Sequence, residues 1–168
     1  PTEAEESPAA AESPGDALPP IEDPDNPGQA QLDKALELKL TARSLKDLNE
    51  VIDYLDEALE AGLDSGNTDC AEQLLAASLM QRAQSLSAAL LSNPTANPND
   101  ARWLRIWHTA LTDLGRCVSL DENQLEAWML IGRLQSLPGG NKSEARRALN
   151  RFIRLADEAT DDPNADTP

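Results

Sequence analysis

Aromatic side chains are scarce in this 168-residue chain: three Trp, one Tyr and one Phe, with a single histidine, His108. A lone histidine, no Gly-rich phosphate loop and no Gly-x-Ser-x-Gly elbow leave a catalytic relay to be built from scattered acids and serines. The sequence therefore points away from an enzyme. Two cysteines 47 residues apart, with one histidine, lack zinc-ligand spacing. The runs at Asp23, Asp25, Gly28 and at Asp162, Asn164, Asp166 begin like a calcium loop but lack its glutamate at the twelfth position. Neither a metal nor a cofactor is expected. Apolar runs of only a handful of residues fall short of a bilayer span, and no charged-then-apolar segment opens the chain. Residue 1 is Pro, not Met, which suggests a chain trimmed from something longer.

Positive charge is missing from both ends. Residues 1–31 hold eight acids and no base, residues 157–168 hold five acids and no base, and residues 32–156 hold 17 acids against 14 bases. The net charge of −16 thus sits mostly in the ends. Seven prolines in the first 27 residues exclude continuous helix or sheet there. Residues 1–30 read as a disordered acidic Pro/Ala-rich linker and 159–168 as a disordered acidic tail, because they have too little apolar surface to repay ordering. An acidic chain repels phosphate backbones, so nucleic acid is not an expected partner.

From Gln31 the texture changes to helix formers with apolar residues three and four apart, and no strand alternation appears. The expected fold is all-α, with about six helices in three antiparallel hairpins over residues 31–158. The first helix spans Gln31–Ala42, with Leu32, Leu36 and Leu40 or Leu36, Leu38 and Leu40 competing for its buried stripe. The second begins near Ser44, with Ser44 and Asp47 as capping choices, and buries Leu48, Val51, Ile52, Leu55, Ala58 and Leu59 before Gly62. The run "DSGNTD" predicts a turn capped at Thr68 or Asp69. A long third helix follows to Ser92, a fourth from Asp100, a fifth over Gln124–Leu137 and a sixth over Ser143–Glu158.

These helices repeat. Ala145, Leu149 and Phe152 match Ala110, Leu114 and Cys117 at a separation of 35 residues, and Trp128, Ile131, Gly132 and Gln135 stand ahead of the sixth helix. The pattern resembles the tetratricopeptide repeat (TPR), whose Trp, Leu-Gly, small and large apolar places are filled by Trp128, Ile131, Gly132, Ala145 and Leu149. Gln135 departs at the family's Tyr place, and the turn between the helices carries one extra residue. The second hairpin matches in Ala110, Leu114 and Cys117 alone, and the first only in Val51, Leu55 and Ala58. The resemblance implies a right-handed α-solenoid. Gly132 and Ala145 would let two backbones approach, and Trp128 would fill the gap toward the preceding hairpin. Irregular TPR arrays with acidic Pro-rich leaders are also similar to those of exported bacterial proteins. That likeness implies a periplasmic or extracellular setting, with a cytoplasmic one as the alternative.

The resemblance further implies a scaffold that docks a protein or peptide on a concave face lined by first helices, as a monomer or as part of a longer chain. In the family register Glu126, Met129, Leu130, Arg133 and Ser136 would face that groove; the plain alternative packs Met129 or Leu130 on a neighbouring helix. Gln73, Gln81 and Arg82 lack a clear carboxylate-clamp register. The other function considered is a structural or regulatory segment of a larger, exported enzyme. Arg147, Arg151 and Arg154 form a basic stripe on one face of the sixth helix, offered to an acidic partner, to a following repeat or simply to solvent. Residues 73–156 carry ten bases and six acids, whereas 33–72 carry eleven acids and four bases, which suggests head-to-tail complementarity. Cys70 and Cys117 should fall at one end of a hairpin. They are a candidate disulfide, against the alternative of Cys117 as a small core residue.

Overall fold

A serine hydroxyl and an aspartate three residues later set the start of the second helix. Asp47 N donates to Ser44 Oγ at 3.2 Å and Ser44 N donates to Asp47 Oδ2 at 2.9 Å, closing a capping box. Amide donors from Arg43 and Ser44 hold the Asp47 carboxyl below its usual range. The computed structural model describes residues 26–92 and 97–160, and all regular structure among them is helical. The helices are α1 (Gln29–Thr41), α2 (Leu45–Ala61), α3 (Ser65–Leu91), α4 (Ala101–Leu120), α5 (Leu125–Gln135) and α6 (Lys142–Thr160). Each packs on its neighbour in sequence, except that α5 also touches α3.

The start of α3 corrects the sequence expectation. Asp64, not Thr68 or Asp69, is the cap: its Oδ1 accepts from Asn67 N at 2.8 Å, so the helix begins at Ser65 and absorbs Gly66 and Asn67. Asp64 is also clasped from outside the helix. Asn26 Nδ2 donates to Asp64 Oδ2 at 2.7 Å and Asp64 N donates to Asn26 Oδ1 at 2.6 Å. The resulting α3 is 27 residues long and serves two apolar clusters. Its first part joins Leu32 and Ala35 of α1 and Val51, Ile52, Leu55 and Ala58 of α2 through Ala71, Leu75 and Leu79. Its second part joins Trp103, Trp107, Ala110, Leu114 and Cys117 of α4 and Ala127, Leu130 and Leu134 of α5 through Ala76, Met80, Ala83 and Leu90.

Neither predicted stripe for α1 is the observed one. Leu32 and Ala35 are buried and Leu38 partly so, while Leu36 is 40% and Leu40 87% exposed. Gly28 fixes this rotation: its N–H donates to Gly62 O at 2.9 Å, and its α-carbon lies so close to α2 that a Cβ would stand 2.2 Å from Ala58 O. In α2 all the predicted core residues are buried except Leu59, which is partly so.

The α5–α6 contact is close at Gly132. A Cβ on Gly132 would stand 2.6 Å from Leu149 Cδ2 and 3.4 Å from Ala145 O, so the two helices approach closely at the glycine. Ala110, Leu114 and Cys117 are fully buried and Ala145 is buried, whereas Leu149 and Phe152 are only partly covered because no further helix lies beyond α6 among the described residues. Gln135 is buried. Its Nε2 donates to Glu144 Oε2 at 2.9 Å, and its Oε1 accepts from Asn141 N at 2.9 Å, so one amide closes the turn between the helices.

The two glycines carry different expectations. Gly28→Ala pushes a methyl into immovable backbone and should cost about 1–3 kcal/mol. Gly132→Ala puts a methyl 2.6 Å from both Cγ and Cδ2 of half-covered Leu149, which must shift, but gains about 1 kcal/mol of helix propensity, so its loss should be smaller than that of Gly28→Ala. Urea unfolding of both variants measures the contrast; equal losses would show that the Gly28 approach is not rigid.

Candidate functional site

Charged groups inside a helical stack must be paired, and the largest such arrangement here was not visible in the sequence. Arg82 on α3 donates through Nε to Asp113 Oδ2 at 2.8 Å and through Nη2 to Asp113 Oδ1 at 2.7 Å, a fork-on-fork pair with α4. Its Nη1 donates to Asn49 Oδ1 on α2 at 2.7 Å. Asp113 is 1% exposed, and hydrogen bonding to it holds the guanidinium above its ordinary pKa. Arg116 on α4 pairs with Asp56 on α2. These groups clamp α2, α3 and α4 together. Arg82, grouped from the sequence with Gln73 and Gln81, is thereby committed inside the fold.

His108 is exposed, with its ring edge-on to Trp107 at 5.0 Å between centroids. No His, Cys, Asp or Glu cluster suited to a metal ion occurs among the described residues. The two calcium-like runs lie outside those residues, apart from Gly28. No described helix is long and apolar enough to cross a membrane. Both cysteines are free: Cys70 is exposed, and Cys117 is buried with Sγ 3.7 Å from Ala76 O. Ala76 is six residues beyond Cys70, about 9 Å along α3, so the sulfur of Cys117 faces a different level of the helix and the proposed pairing is not made. Burial pushes the Cys117 thiol upward, with Asp121 adding to the effect.

Of the five residues expected on a groove, three are exposed on α5 and its C-cap. Glu126, Arg133 and Ser136 are exposed, although the Ser136 hydroxyl donates to Gly132 O at 2.7 Å. Leu130 is a correction. It is 6% exposed and sits with Ala127 and Leu134 in the core against α3 and α4, because spacings of three and four put those three on one inward stripe. Met129 is partly buried and packs against the same cluster. Glu126 and Arg133, seven residues apart, share a face two turns apart.

The basic stripe has a neighbour that the sequence did not give it. Arg147, Arg151 and Arg154 of α6 line an open groove of about 730 Å³ together with Asn150, Glu122 and Trp128. Trp128 is only half-buried and donates its Nε1–H to Glu122 O at 2.9 Å, in the turn between α4 and α5. Instead of disappearing into the preceding helix pair, its ring borders the arginines. Arg151 leans on the same turn through long contacts, 3.4 Å to Glu122 O and 3.3 Å to Asn123 Oδ1. Arg154 stands 4.0 Å from Glu158, and Arg147 is exposed with no ion pair among the described residues. An aromatic face beside three guanidinium groups suits a ligand that is acidic and carries flat or cyclic apolar groups.

Comparison with protein-family models, with curated proteins and with solved structures found no match.

Proposed function

We propose that this chain is a non-enzymatic protein-interaction module: a TPR-like right-handed α-solenoid of three antiparallel helical hairpins that docks a protein or peptide on a concave face formed by α1, α3 and α5. Three features support the stacking. The pairs α1–α2, α3–α4 and α5–α6 each pack together, α3 touches α5, and Lys39 Nζ of α1 donates to Gln81 Oε1 of α3 at 2.8 Å. The contact of Gly132 with α6 and the burial of Ala110, Leu114 and Ala145 fit the same arrangement.

Arg133 carries the functional part of the reading. Arg82 and Arg116 are bound to buried or half-buried carboxylates, whereas Arg133 is exposed with no ion pair among the described residues. Together with Glu126, two turns away on the same face, it offers charge of both signs beside the partly covered Met129. A partner's carboxylate could take both Nη atoms of Arg133.

The test uses the full chain as bait in three forms: unaltered, Arg133→Glu, and Arg102→Glu as an exposed control on α4. A partner held through this face should be retained by the first and third and lost at least about tenfold by the second, a difference of about 1.4 kcal/mol. Equal retention by Arg133→Glu overturns the concave-face reading.

A further inference from the structure

We infer that the groove formed by Trp128, Arg147, Arg151 and Arg154 is the docking site for the chain's own acidic, proline-rich leader, residues 1–25. This surface is separate from the α5 face proposed above, and the two inferences can fail independently.

The chemistry of the two parts is complementary. The groove offers a half-buried indole and three guanidinium groups, of which Arg147 has no ion pair and Arg151 only long contacts among the described residues. The leader supplies Glu3, Glu5, Glu6, Glu12, Asp16, Glu22, Asp23 and Asp25 without a single base, interspersed with prolines. Prolines in an extended segment lie well against an indole face, and guanidinium groups take carboxylates in a fork.

The place where the leader joins the fold supports the assignment. Asn26, the first described residue, is fastened to Asp64. Asp69, about 8 Å further along α3, lines a shallow groove together with Asp121 of the α4–α5 turn. The next residue, Glu122, accepts from both Trp128 and Arg151. Neighbouring residues therefore lead from the end of the leader to the arginines. A dozen extended residues reach about 37 Å, which leaves residues 1–13, with Glu3, Glu5, Glu6 and Glu12, to lie along the stripe. The surface crossed on the way holds Asp64, Asp69, Glu72 and Asp121, which repel the leader, whereas the groove sets three arginines against one carboxylate, Glu122. Tethering raises the local concentration of the leader to about the millimolar range, enough for a modest intrinsic affinity to fill the groove.

The experiment places a nitroxide on residue 10 of the full chain (Ala10→Cys with Cys70→Ser) and follows the three Trp indole N–H signals by NMR, with Trp128 assigned from Trp128→Phe. Docking predicts at least about a twofold loss of the Trp128 signal in low salt. The signal should recover in about 1 M salt, where charges are screened within about 3 Å. It should also recover in Arg147→Glu/Arg151→Glu and in the Glu3, Glu5, Glu6, Glu12→Gln variant. That last variant alters nothing in the helices, so it stands even if the arginine changes disturb α6. An unbroadened Trp128 signal overturns the inference; this is the result expected if residues 161–168 cover the arginines instead. Broadening that survives the charge changes, or that appears equally when labelled and isotope-enriched chains are mixed, also overturns it.

Discussion

Arg82→Leu is expected to lower the unfolding free energy by about 3–5 kcal/mol, because it leaves the Asp113 carboxylate buried without its partner. Asp113 makes both of its close contacts with Arg82 and has almost no surface of its own. Against a total stability of about 5–15 kcal/mol for a typical domain, this is a large fraction, and a urea midpoint shift at unchanged slope would measure it. The double variant Arg82→Met/Asp113→Leu should recover most of the loss, since apolar replacement of both partners removes the uncompensated charge. A double variant as unstable as Arg82→Leu would show that the pair holds α3 to α4 in a way that shape alone cannot replace. Asn49, which accepts the third donor of Arg82, couples α2 to the same charge. Asn49→Ala should therefore add less to the Arg82→Leu background than it costs alone.

Trp107→Ala should cost about 3–5 kcal/mol as a large-to-small change in the core. Trp107 stacks on Trp103 with centroids 5.8 Å apart, and its Nε1 donates to Leu134 O at 3.0 Å near the end of α5. Trp107→Phe separates the two contributions. It keeps most of the ring but removes one donor from the Leu134 carbonyl, which retains the Leu137 amide at 3.2 Å, at about 0.5–1.5 kcal/mol. A Phe variant that melts like the parent would mean that packing, not the hydrogen bond, fixes α5 on α4. The two sites touch different helix junctions, Arg82 at α2–α3–α4 and Trp107 at α4–α5, so their effects should add within about 0.5 kcal/mol.

Local chemistry made part of this structure readable in the linear sequence. The cap at Ser44 and Asp47, the inward stripe of α2 and the lengthened third helix follow from spacings within a few turns, whereas the close approach at Gly132 was an expectation of the repeat resemblance. The errors lie where two local solutions competed. "DSGNTD" contains several residues able to cap a helix, and the choice of Asp64 goes with its clasp by Asn26, 38 residues away. In α1 the leucines offer more than one stripe, and the backbone approach of Gly28 to Ala58 selects the one through Leu32 and Ala35. On α5, Leu130 fell to the core face because α3 and α4 supply a wall there.

By itself, then, the sequence determined that the chain is helical, where most helices run, and which face of α2 is buried, since a 3.6-residue period writes these requirements at short range. Only the tertiary structure decided that Arg82 and Asp113, 31 residues apart, neutralise each other, that Cys70 and Cys117 do not meet, and that Trp128 borders the α6 arginines. Those outcomes depend on how helices are rotated and offset against one another. That offset is fixed by side chains distant in sequence, so no local spacing records it.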